Sequence, residues 1–528
     1  MRTYKRTYTY LTRYRWRVPL DIQRRIYFAV LILLLVFCDA MNAEPKKLPP
    51  QARAPVSIAD DVHLPAGAAL RFESDAYEQL RDRRRVRLTG FPLTRRQSVD
   101  LDLEQFEVTT SSTIIVEGSS DGDRPVEHPE VALFKGRVAG VEDSEAVLGI
   151  SPHGNNGYIR TGGLVYFLAP ARQRGKGAKV EYHTIAEQAE VSGSGPAEPF
   201  RCYSVAAAET AALPSTEDIV VESSYDWLVA FVAIDCDYAY YQNFGGDFQA
   251  ALTYLLELTG TVSSFYERDM NIKWHLSYIR IWTTPDPFLS YPPYESGDIL
   301  SHFAAYWQVY MGHIDRNIVL LFSSDPGWFG LAYGFTMCDR RNHFALCNGI
   351  RGWFPRPVQD LHADNWDLHV VAHEAGHVFG TEHTHCYDPP IDNCGAVDSD
   401  AGNPACEGRT VFDECVPGTL MSYCGRPLCG GYANELMCFH PRVAACIRSY
   451  LAMSGCLRYG LNPVYVDWAN TGVENGTIAN PFNTVVEGVQ VVIPDGAVYI
   501  RSGSYPEILN FNRPVTLLAT GGPVTIGQ

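Results

Sequence analysis

Three histidines, and the glutamate that directly follows the first of them, lie within eleven consecutive positions, in the stretch His-Glu-Ala-Gly-His-Val-Phe-Gly-Thr-Glu-His at residues 373–383. Positions four apart on a helix face the same side, so His373 and His377 project together from adjacent turns. Two imidazoles at this separation can bind one Zn²⁺ at Zn–N distances of about 2.0–2.1 Å. Glu374 is displaced around the helix, where it can approach a metal-bound water instead of the metal.

The next residues extend this pattern. Gly380 can adopt a left-handed angle that ends the helix, which we expect at about residues 366–379, and turns the chain sharply. The turn brings His383, six residues after His377, back as a third ligand. His385 competes for this place, but the spacing favours His383. A structural zinc site usually has four protein ligands, whereas three histidines leave one position open for water.

The whole pattern, His-Glu-x-x-His-x-x-Gly-x-x-His, resembles that of the metzincin metallopeptidases. Downstream, "GTLMSYC" places Met421 where this clan has a Met-containing turn beneath the metal. Longer stretches, among them "VAIDCDYAYYQNFG" and "WDLHVVAHEAGHVFGTEHTHCYDPPIDNC", resemble the bacterial reprolysin-like branch over residues 218–458. The resemblance implies a Zn²⁺ cofactor and hydrolysis of peptide bonds, with Glu374 accepting the proton of the attacking water.

Two details differ from the reprolysins of animal venoms. Thr384 follows the third histidine where those proteins usually have Asp, so the clan is better defined than the subfamily. Met421-Ser422-Tyr423 is closer to the serralysin and astacin pattern. By that resemblance Tyr423 is a fifth ligand or stabilises the tetrahedral intermediate. The alternative is a core tyrosine packed behind the turn.

The segment "GLAYGF" resembles the metzincin edge strand that pairs with an extended peptide by strand addition. The resemblance implies that the substrate-binding residues are Gly330, Leu331, Ala332, Tyr333 and Gly334. The alternative is a strand buried within a sheet.

Other histidines lack the pattern of a ligand. His369 lies four residues before His373, but no glutamate follows it, and we interpret it as a residue that packs against or supports the ligands. His362 and His440 belong to no constellation.

Cysteines indicate an exported protein. Thirteen follow residue 43, and twelve of these lie between Cys236 and Cys456, a density that predicts disulfides. Twelve could form six bridges and leave Cys202 unpaired. A free thiolate at Cys202 could bind the zinc and keep a precursor latent. The alternative is an ordinary disulfide, for example with Cys236.

The first 43 residues are predicted to be a signal peptide. A basic segment precedes the apolar run "IYFAVLILLLVFC", which is too short to span a hydrocarbon layer of about 30 Å. A short membrane anchor is the alternative. Removing this segment takes the formal net charge from −17 to −23, because the segment itself carries +6. A surface this acidic repels phosphate backbones. We therefore do not expect nucleic acid as a partner. We expect a protein that is secreted or located at the cell surface, without stable membrane association after the signal peptide is removed.

The sequence predicts a multidomain chain. We expect a signal peptide at 1–43, a β-rich prodomain similar to reprolysin-type propeptides at 44–190, and a linker with Cys202 at 191–217. An α/β metzincin-like catalytic domain at 218–458 precedes a short unit at 459–528. That last unit resembles the opening of a parallel β-helix, a capping helix followed by short strands, with possible polysaccharide contact.

Two functions are compatible with this organisation. The first is a secreted zinc endopeptidase that acts on protein or peptide substrates and is made as a latent precursor. The second is a non-catalytic surface or adhesion protein, with a metal-bearing domain as a scaffold and a carbohydrate-binding tail. The intact Glu374 favours the enzyme, since a scaffold need not retain the base.

Overall fold

The computed structural model describes residues 49–109, 113–171, 180–187, 201–206, 226–288, 296–327, 329–352, 366–394, 417–424, 435–472, 474, 476–478, 480–493, 496–511 and 514–527, with 201–206 described as backbone. The predicted signal peptide at 1–43 and most of the predicted linker at 191–217 lie outside these residues. Within the described ranges, no helix combines the length and the apolar character needed to cross a membrane.

Residues 50–187, called here the N-terminal region, are rich in strands. Their elements are β1 (Gln51–Arg53), β2 (Val56–Ile58), β3 (Ala68–Phe72), α1 (Ala76–Leu80), β4 (Arg85–Pro92), β5 (Ser98–Phe106), β6 (Ile114–Gly118), β7 (Arg124–Pro125), β8 (Ala132–Val138), β9 (Glu145–Ile150), β10 (Asn156–Thr161), β11 (Leu164–Pro170) and β12 (His183–Glu187). All the strands except β6 and β7 form one sheet in the order β1-β4-β5-β8-β9-β10-β11-β12-β3-β2.

The alternation that indicated strands in the sequence has a direct counterpart in β5. Leu101 and Leu103 are buried, while Asp102 between them points away from this core and pairs with Arg87 of β4 at 2.6 Å. The period of two therefore separates the buried face from the polar face. The role of this region as a prodomain stays a prediction.

A second sheet, the central sheet, is built mainly from residues 226–461, called here the central region. Its strands are β13 (Arg201–Ala206), β14 (Asp226–Cys236), β15 (Ile272–Trp282), β16 (Ile318–Phe322), β17 (Phe329–Gly334), β18 (Phe344–Cys347) and β19 (Arg458–Leu461). Their order is β13-β17-β18-β16-β14-β15-β6-β7, and β19 pairs with the start of β14. Most pairings are parallel, while β17 runs antiparallel to β18.

Helices cover the central sheet, so this region has the mixed α/β architecture that the sequence predicted. They are α2 (Tyr238–Asn243), α3 (Phe248–Met270), α4 (Ser296–Tyr310), α5 (Trp366–Val378) and α6 (Pro441–Ser454). Asp247 caps the start of α3 by accepting a hydrogen bond from Ala250 N, and Asn271 ends that helix in the left-handed conformation at φ 53°.

Helix α3 is buried on almost all of its surface. The three-to-four residue period of its apolar positions indicated an amphipathic helix, but polar residues such as Glu257 and Thr259 are buried as well. The reason is that α3 packs on the central sheet with one face and on the N-terminal region with the other. Its sequence alone could not indicate the second contact.

Residues 464–526 form a smaller sheet of parallel strands, β20 (Val464–Val466), β21 (Ala497–Tyr505) and β22 (Thr516–Ile526). Helix α7 (Val485–Val491) lies between β20 and β21 in the chain, rather than ahead of the strands. The rings of Tyr465 and Tyr499 stack at 5.3 Å between neighbouring strands. A continuing β-helix stays a prediction.

Disulfides join Cys338 to Cys456 and Cys394 to Cys424, and Cys386 is also disulfide-bonded. The expectation of six bridges among the twelve later cysteines is wrong, because free thiols remain at Cys236, Cys347, Cys438 and Cys446. Two of these, Cys236 and Cys347, end strands inside the central sheet, where the core buries them completely. The odd number of cysteines therefore does not single out Cys202, and a Cys202–Cys236 bridge is excluded.

Candidate functional site

Helix α5 carries two of the three histidines and is buried along its whole length. Asp367 in its first turn fixes the start of the helix, since its carboxylate accepts hydrogen bonds from the backbone N–H groups of Arg351 and Gly352 and from the Tyr254 hydroxyl. The Tyr266 hydroxyl donates to Ala372 O at 2.9 Å on the side facing α3. The helix is therefore held both at its start and beside the histidines.

The chain reverses directly after α5 at Gly380, which has a φ of +96°. A side chain there would be strained, and its Cβ would lie 2.3 Å from Cδ1 of Tyr450. After this turn His383 approaches the helix again, and Thr384 N donates to Met421 O at 3.0 Å. The turn that Gly380 was expected to provide is therefore present at that position.

The three histidines converge on one point. His377 Nε2 lies 3.2 Å from His373 Nε2 and 3.1 Å from His383 Nε2, and all three residues are fully buried. Ligands about 2.0–2.1 Å from a tetrahedral zinc ion stand roughly 3.3–3.4 Å apart, close to these separations.

The protonation of the rings supports a cation at this point. His373 Nδ1 lies 2.7 Å from Leu420 O, and His377 Nδ1 lies 2.9 Å from Thr381 O. A carbonyl oxygen can only accept, so each Nδ1 carries the proton and each Nε2 presents a lone pair. Burial, and after it the neighbouring histidines, lower the pKa of His373 well below its ordinary value, which keeps the ring neutral. Facing lone pairs repel unless a cation lies between them, so this set of donors fits zinc.

Met421 lies directly beneath the helix that carries the ligands. A Cβ on Gly376 would meet Met421 Sδ at 2.6 Å, so the absence of a side chain at 376 allows this approach. The preceding carbonyl, Leu420 O, is the acceptor for His373 Nδ1. The methionine turn thus contacts both the back of the helix and one of the ligands.

Glu374 is completely buried, and its side chain extends across strand β17. A Cβ built on Gly330 would lie 1.9 Å from Glu374 Oε1 and 2.5 Å from its Cγ. The sequence indicated Gly330 only as part of the edge strand. Its contact with the glutamate was missed, and an isolated glycine far from the motif gives no signal for it.

Tyr423 lies against the third histidine. Its ring centroid is 4.6 Å from that of His383 and 6.2 Å from that of His373, and the side chain is buried. His385 also stacks on His383, with ring centroids 5.5 Å apart and planes 7° from parallel, and its ring centroid lies 5.6 Å from that of Tyr423. His383, not His385, therefore joins the converging nitrogens, while Tyr423 lies next to them.

Strand β17 contains the predicted substrate-binding residues Gly330 to Gly334. On one side it pairs antiparallel with β18, and on the other it pairs parallel with β13. The register places Cys202 opposite Gly330, the residue against which Glu374 packs. The position of the Cys202 sulfur lies outside the described atoms.

His369 has a partner of its own one turn before the ligands. Its Nδ1 lies 2.7 Å from Glu435 Oε2, and both side chains are buried. His440 begins helix α6, where its Nδ1 accepts from Arg442 N at 3.2 Å. His362 lies outside the described residues.

Two further groups of potential ligands occur in the described part of the chain, His383 with His385 and Cys386, and Asp392 with Cys394 and Cys424. Cys386, Cys394 and Cys424 are all in disulfides. A bridged sulfur is not the thiolate that binds zinc, so the three converging histidines form the better metal site.

Comparison with known proteins agrees with this site. Residues 228–432 match the family model Reprolysin_5, described as metallo-peptidase family M12. Over 181 residues the chain is 25% identical to disintegrin and metalloproteinase domain-containing protein unc-71 of Caenorhabditis elegans. That similarity covers 33% of this chain and 16% of the relative's length. A similar solved structure is metalloproteinase-II from Bacteroides fragilis, with 12% identity, a TM-score of 0.32 and coverage of 57% of this chain and 81% of that one.

The matched residues are a reprolysin-type, metzincin-like metallopeptidase domain, which confirms the class that the histidine motif predicted. The match supports the predicted enzyme type, a metalloendopeptidase, for this domain. The bacterial branch of the family stays a prediction.

Proposed function

We propose that the chain is a secreted zinc-dependent endopeptidase, made as a latent precursor. One observation carries the proposal: His377 Nε2 lies 3.2 Å from His373 Nε2 and 3.1 Å from His383 Nε2, and Glu374 is on the helix that carries the first two histidines. His373, His377 and His383 would bind the zinc. The non-catalytic adhesion protein is not favoured, because the M12 match covers the region that carries the site.

The reaction would use four groups of this chain. Zinc supplies a Lewis acid that polarises the scissile carbonyl and lowers the pKa of water towards about 7. Glu374 accepts the proton of the attacking water and returns it to the leaving amine. The Leu420 and Thr381 carbonyls hold His373 and His377 in the tautomer that presents Nε2. Tyr423, whose ring lies beside His383, would donate a hydrogen bond to the developing oxyanion.

Strand β17 is the proposed binding site for the substrate. Once β13 has been removed, an extended peptide would pair with the edge of β17 that β13 occupies in the intact chain, through main-chain hydrogen bonds next to Glu374. Gly330 leaves room for the Glu374 carboxylate over this strand, since any side chain there would meet the glutamate. Protein or peptide substrates are therefore the expected partners.

The proposed latency has a physical basis in β13. This strand occupies the edge of β17 that a substrate would use, with Cys202 opposite Gly330. A thiolate that reached the zinc from there would exclude water from the remaining coordination position. We also propose that the protein is secreted after removal of residues 1–43. Residues 459–528 would contact polysaccharide.

The experiment that tests the function combines metal content with turnover. We expect the purified chain, after cleavage of the segment that carries β13, to contain one zinc per molecule and to hydrolyse casein. A chelator should abolish hydrolysis, and added Zn²⁺ should restore it. Casein hydrolysis that is unaffected by the removal of zinc would contradict the proposal, as would an inactive protein with full zinc content.

A further inference from the structure

The N-terminal region completes the central sheet on the side away from the zinc-binding residues. Strand β6 pairs in parallel with β15, from Ile114 opposite Tyr278 to Gly118 opposite Trp282. The ladder continues beyond the strand, since Thr283 N donates to Gly118 O at 2.9 Å. In the intact chain, β15 is therefore an inner strand, and loss of β6 would leave its hydrogen-bonding groups without these partners.

A buried charge of the central region also has a contact in the N-terminal region. Asp235 and Arg280 form an ion pair at 2.5 Å, with both side chains almost inaccessible to solvent. Asp123, from the hairpin of β6 and β7, lies 3.5 Å from Arg280 Nη1 and accepts a hydrogen bond from the Tyr278 hydroxyl at 2.9 Å. Removal of the hairpin would take away one carboxylate from a buried guanidinium, which is costly.

Helix α3 packs closely against the N-terminal sheet. A Cβ on Gly260 would lie 2.9 Å from Leu133 Cδ1 and 3.4 Å from Phe106 Cζ. The ring of Phe265 lies edge-on to Tyr158 at 5.4 Å. These side chains belong to one continuous apolar core that both regions share. An interface with this character resembles an obligate subunit contact more than a transient one.

A buried polar contact lies within this apolar interface. Asn156 Nδ2 donates to Glu257 Oε2 at 2.6 Å, and both residues are buried. Gly149 of β9 allows the approach, since its Cβ would lie 2.4 Å from Glu257 Cγ. At the edge of the interface Arg268 pairs with Glu145 at 2.5 Å. The hydrogen bond between Asn156 and Glu257 and the ion pair between Arg268 and Glu145 form only in the joined state, so they favour one arrangement of the two regions.

We propose that residues 50–187 are a permanent subunit of the metallopeptidase domain, which stays bound without a covalent link after the chain is cut on both sides of β13. The partner surface consists of α3 and the edge of β15, and its occupant is this chain's own N-terminal region. If β13 is the inhibitory segment, as the proposed function holds, activation removes that strand and leaves the rest of the N-terminal region in place.

The test uses the full chain with the Glu374→Gln substitution, which prevents self-digestion. Recognition sites for a sequence-specific protease are inserted in residues 188–200 and 207–225, and both are cut. At 1 µM protein, the fragment with residues 50–187 should elute from gel filtration together with the fragment that begins after the second site. Separate elution of the two fragments would overturn the proposal. The readout involves no peptidase activity, so its failure is distinct from failure of the proposed function.

A variant tests whether the buried contact holds the two fragments together. Asn156→Asp replaces the amide donor with an acid that must either lose its charge on burial or stay charged beside the Glu257 carboxyl, so at pH 7.5 at least a tenfold loss of the co-eluting fraction is expected after cutting. Arg71→Gln, which breaks an exposed ion pair with Asp61 inside the N-terminal region, is the matched control and should change nothing. Equal retention in both variants would refute the role of the Glu257 contact. Thermal unfolding of the uncut variants shows whether each of them folds. If a variant does not fold, co-elution of the fragments of the cut parent still tests the proposal.

Discussion

The carboxylate of Glu374 occupies the space that a side chain at position 330 would need. A Cβ on Gly330 would lie 1.9 Å from Glu374 Oε1, and the nearest atoms around it all belong to that glutamate. The residue proposed as the base and the strand proposed to bind substrate are therefore in direct contact, and the position of one depends on the size of the other.

Gly330→Ala should reduce peptide hydrolysis by at least an order of magnitude, because the methyl group must displace the glutamate from its place beside the histidines. The zinc content should stay the same, since the three atoms nearest to the added methyl group belong to Glu374 and not to a ligand. Gly312→Ala, outside the proposed binding strand, is the control, as its Cβ would meet nothing closer than Gln308 O at 3.8 Å. Equal activity of the two variants would contradict the proposed constraint.

Glu374→Gln should keep one bound zinc and lose about 10²–10⁴-fold in turnover, the usual contribution of general acid–base catalysis. The amide fills the same volume but cannot accept the proton of the attacking water. Metal analysis and single-turnover hydrolysis of a peptide measure the two effects separately. Parent-like turnover in this variant would exclude Glu374 as the base.

Met421→Ala should lower the free energy of unfolding by about 2–5 kcal/mol, because it leaves a cavity beneath Gly376 and the metal-binding helix. Met421→Leu nearly conserves the volume and should cost less than about 1.5 kcal/mol. Denaturant unfolding of the zinc-loaded protein, on the Glu374→Gln background, compares the two. A similar loss in both variants would show that the sulfur matters more than the packing.

Cys202→Ala should make the uncut precursor active if the thiolate blocks the zinc. The backbone of β13 would still pair with β17, so we expect partial rather than full activity relative to the cut protein. Ser204→Ala, on the same strand, is a control that removes no potential ligand. A Cys202→Ala precursor as silent as the parent would mean that β13 alone blocks the edge, or that the latency lies elsewhere.

After the chain is cut, binding of the N-terminal region to the metallopeptidase domain should weaken as the pH rises. Burial raises the pKa of Glu257 to about 8, and the smaller effect of the hydrogen bond from Asn156 opposes this rise. Separation exposes the carboxyl and returns its pKa to about 4.3. The joined state thus holds a proton that the separated state releases, so retention is strongest below about pH 4.3 and is lost as the pH rises to about 8.

The Tyr240 and Tyr254 hydroxyls near Glu257 do not change the direction of this pH dependence. Burial raises their pKa values, so both hydroxyls stay neutral. The association constant of the cut protein should fall by up to about tenfold per pH unit between the two pKa values. Gel filtration at several pH values measures the fall. Glu257→Gln cannot titrate and should show much less dependence, and an equal pH response in this variant would assign the effect to other groups.

The metal-binding residues were predictable because their geometry is local. His373, His377 and Glu374 lie on one helix, so the helical period alone fixes their relative positions. His383 follows within a few residues, and only a glycine can take the backbone angle that Gly380 adopts. The methionine turn is distant in the chain, and its resemblance to a known motif, rather than its spacing, indicated Met421.

The contacts between regions could not be predicted in the same way. "TSSTIIVEG" indicated a strand, but nothing in its residues shows that β6 joins β15 across more than 150 positions instead of the sheet formed by its neighbours in sequence. The same holds for Gly330 and Glu374, and for Asn156 and Glu257. Pairings of this kind depend on the complementarity of distant surfaces, which an alternating pattern does not encode.

The strand order of the central sheet also has a consequence for how the protein is made. Its strands extend from Ile114 in β6 to Leu461 in β19, and β14 pairs with β19, which emerges from the ribosome more than 200 residues later. Assembly of such non-local pairings is slow, and the sheet can be finished only after residue 461 has been synthesised. Until then apolar strands such as β14 and β15 need protection from aggregation, and helper proteins that bind nascent chains would raise the yield of folded enzyme.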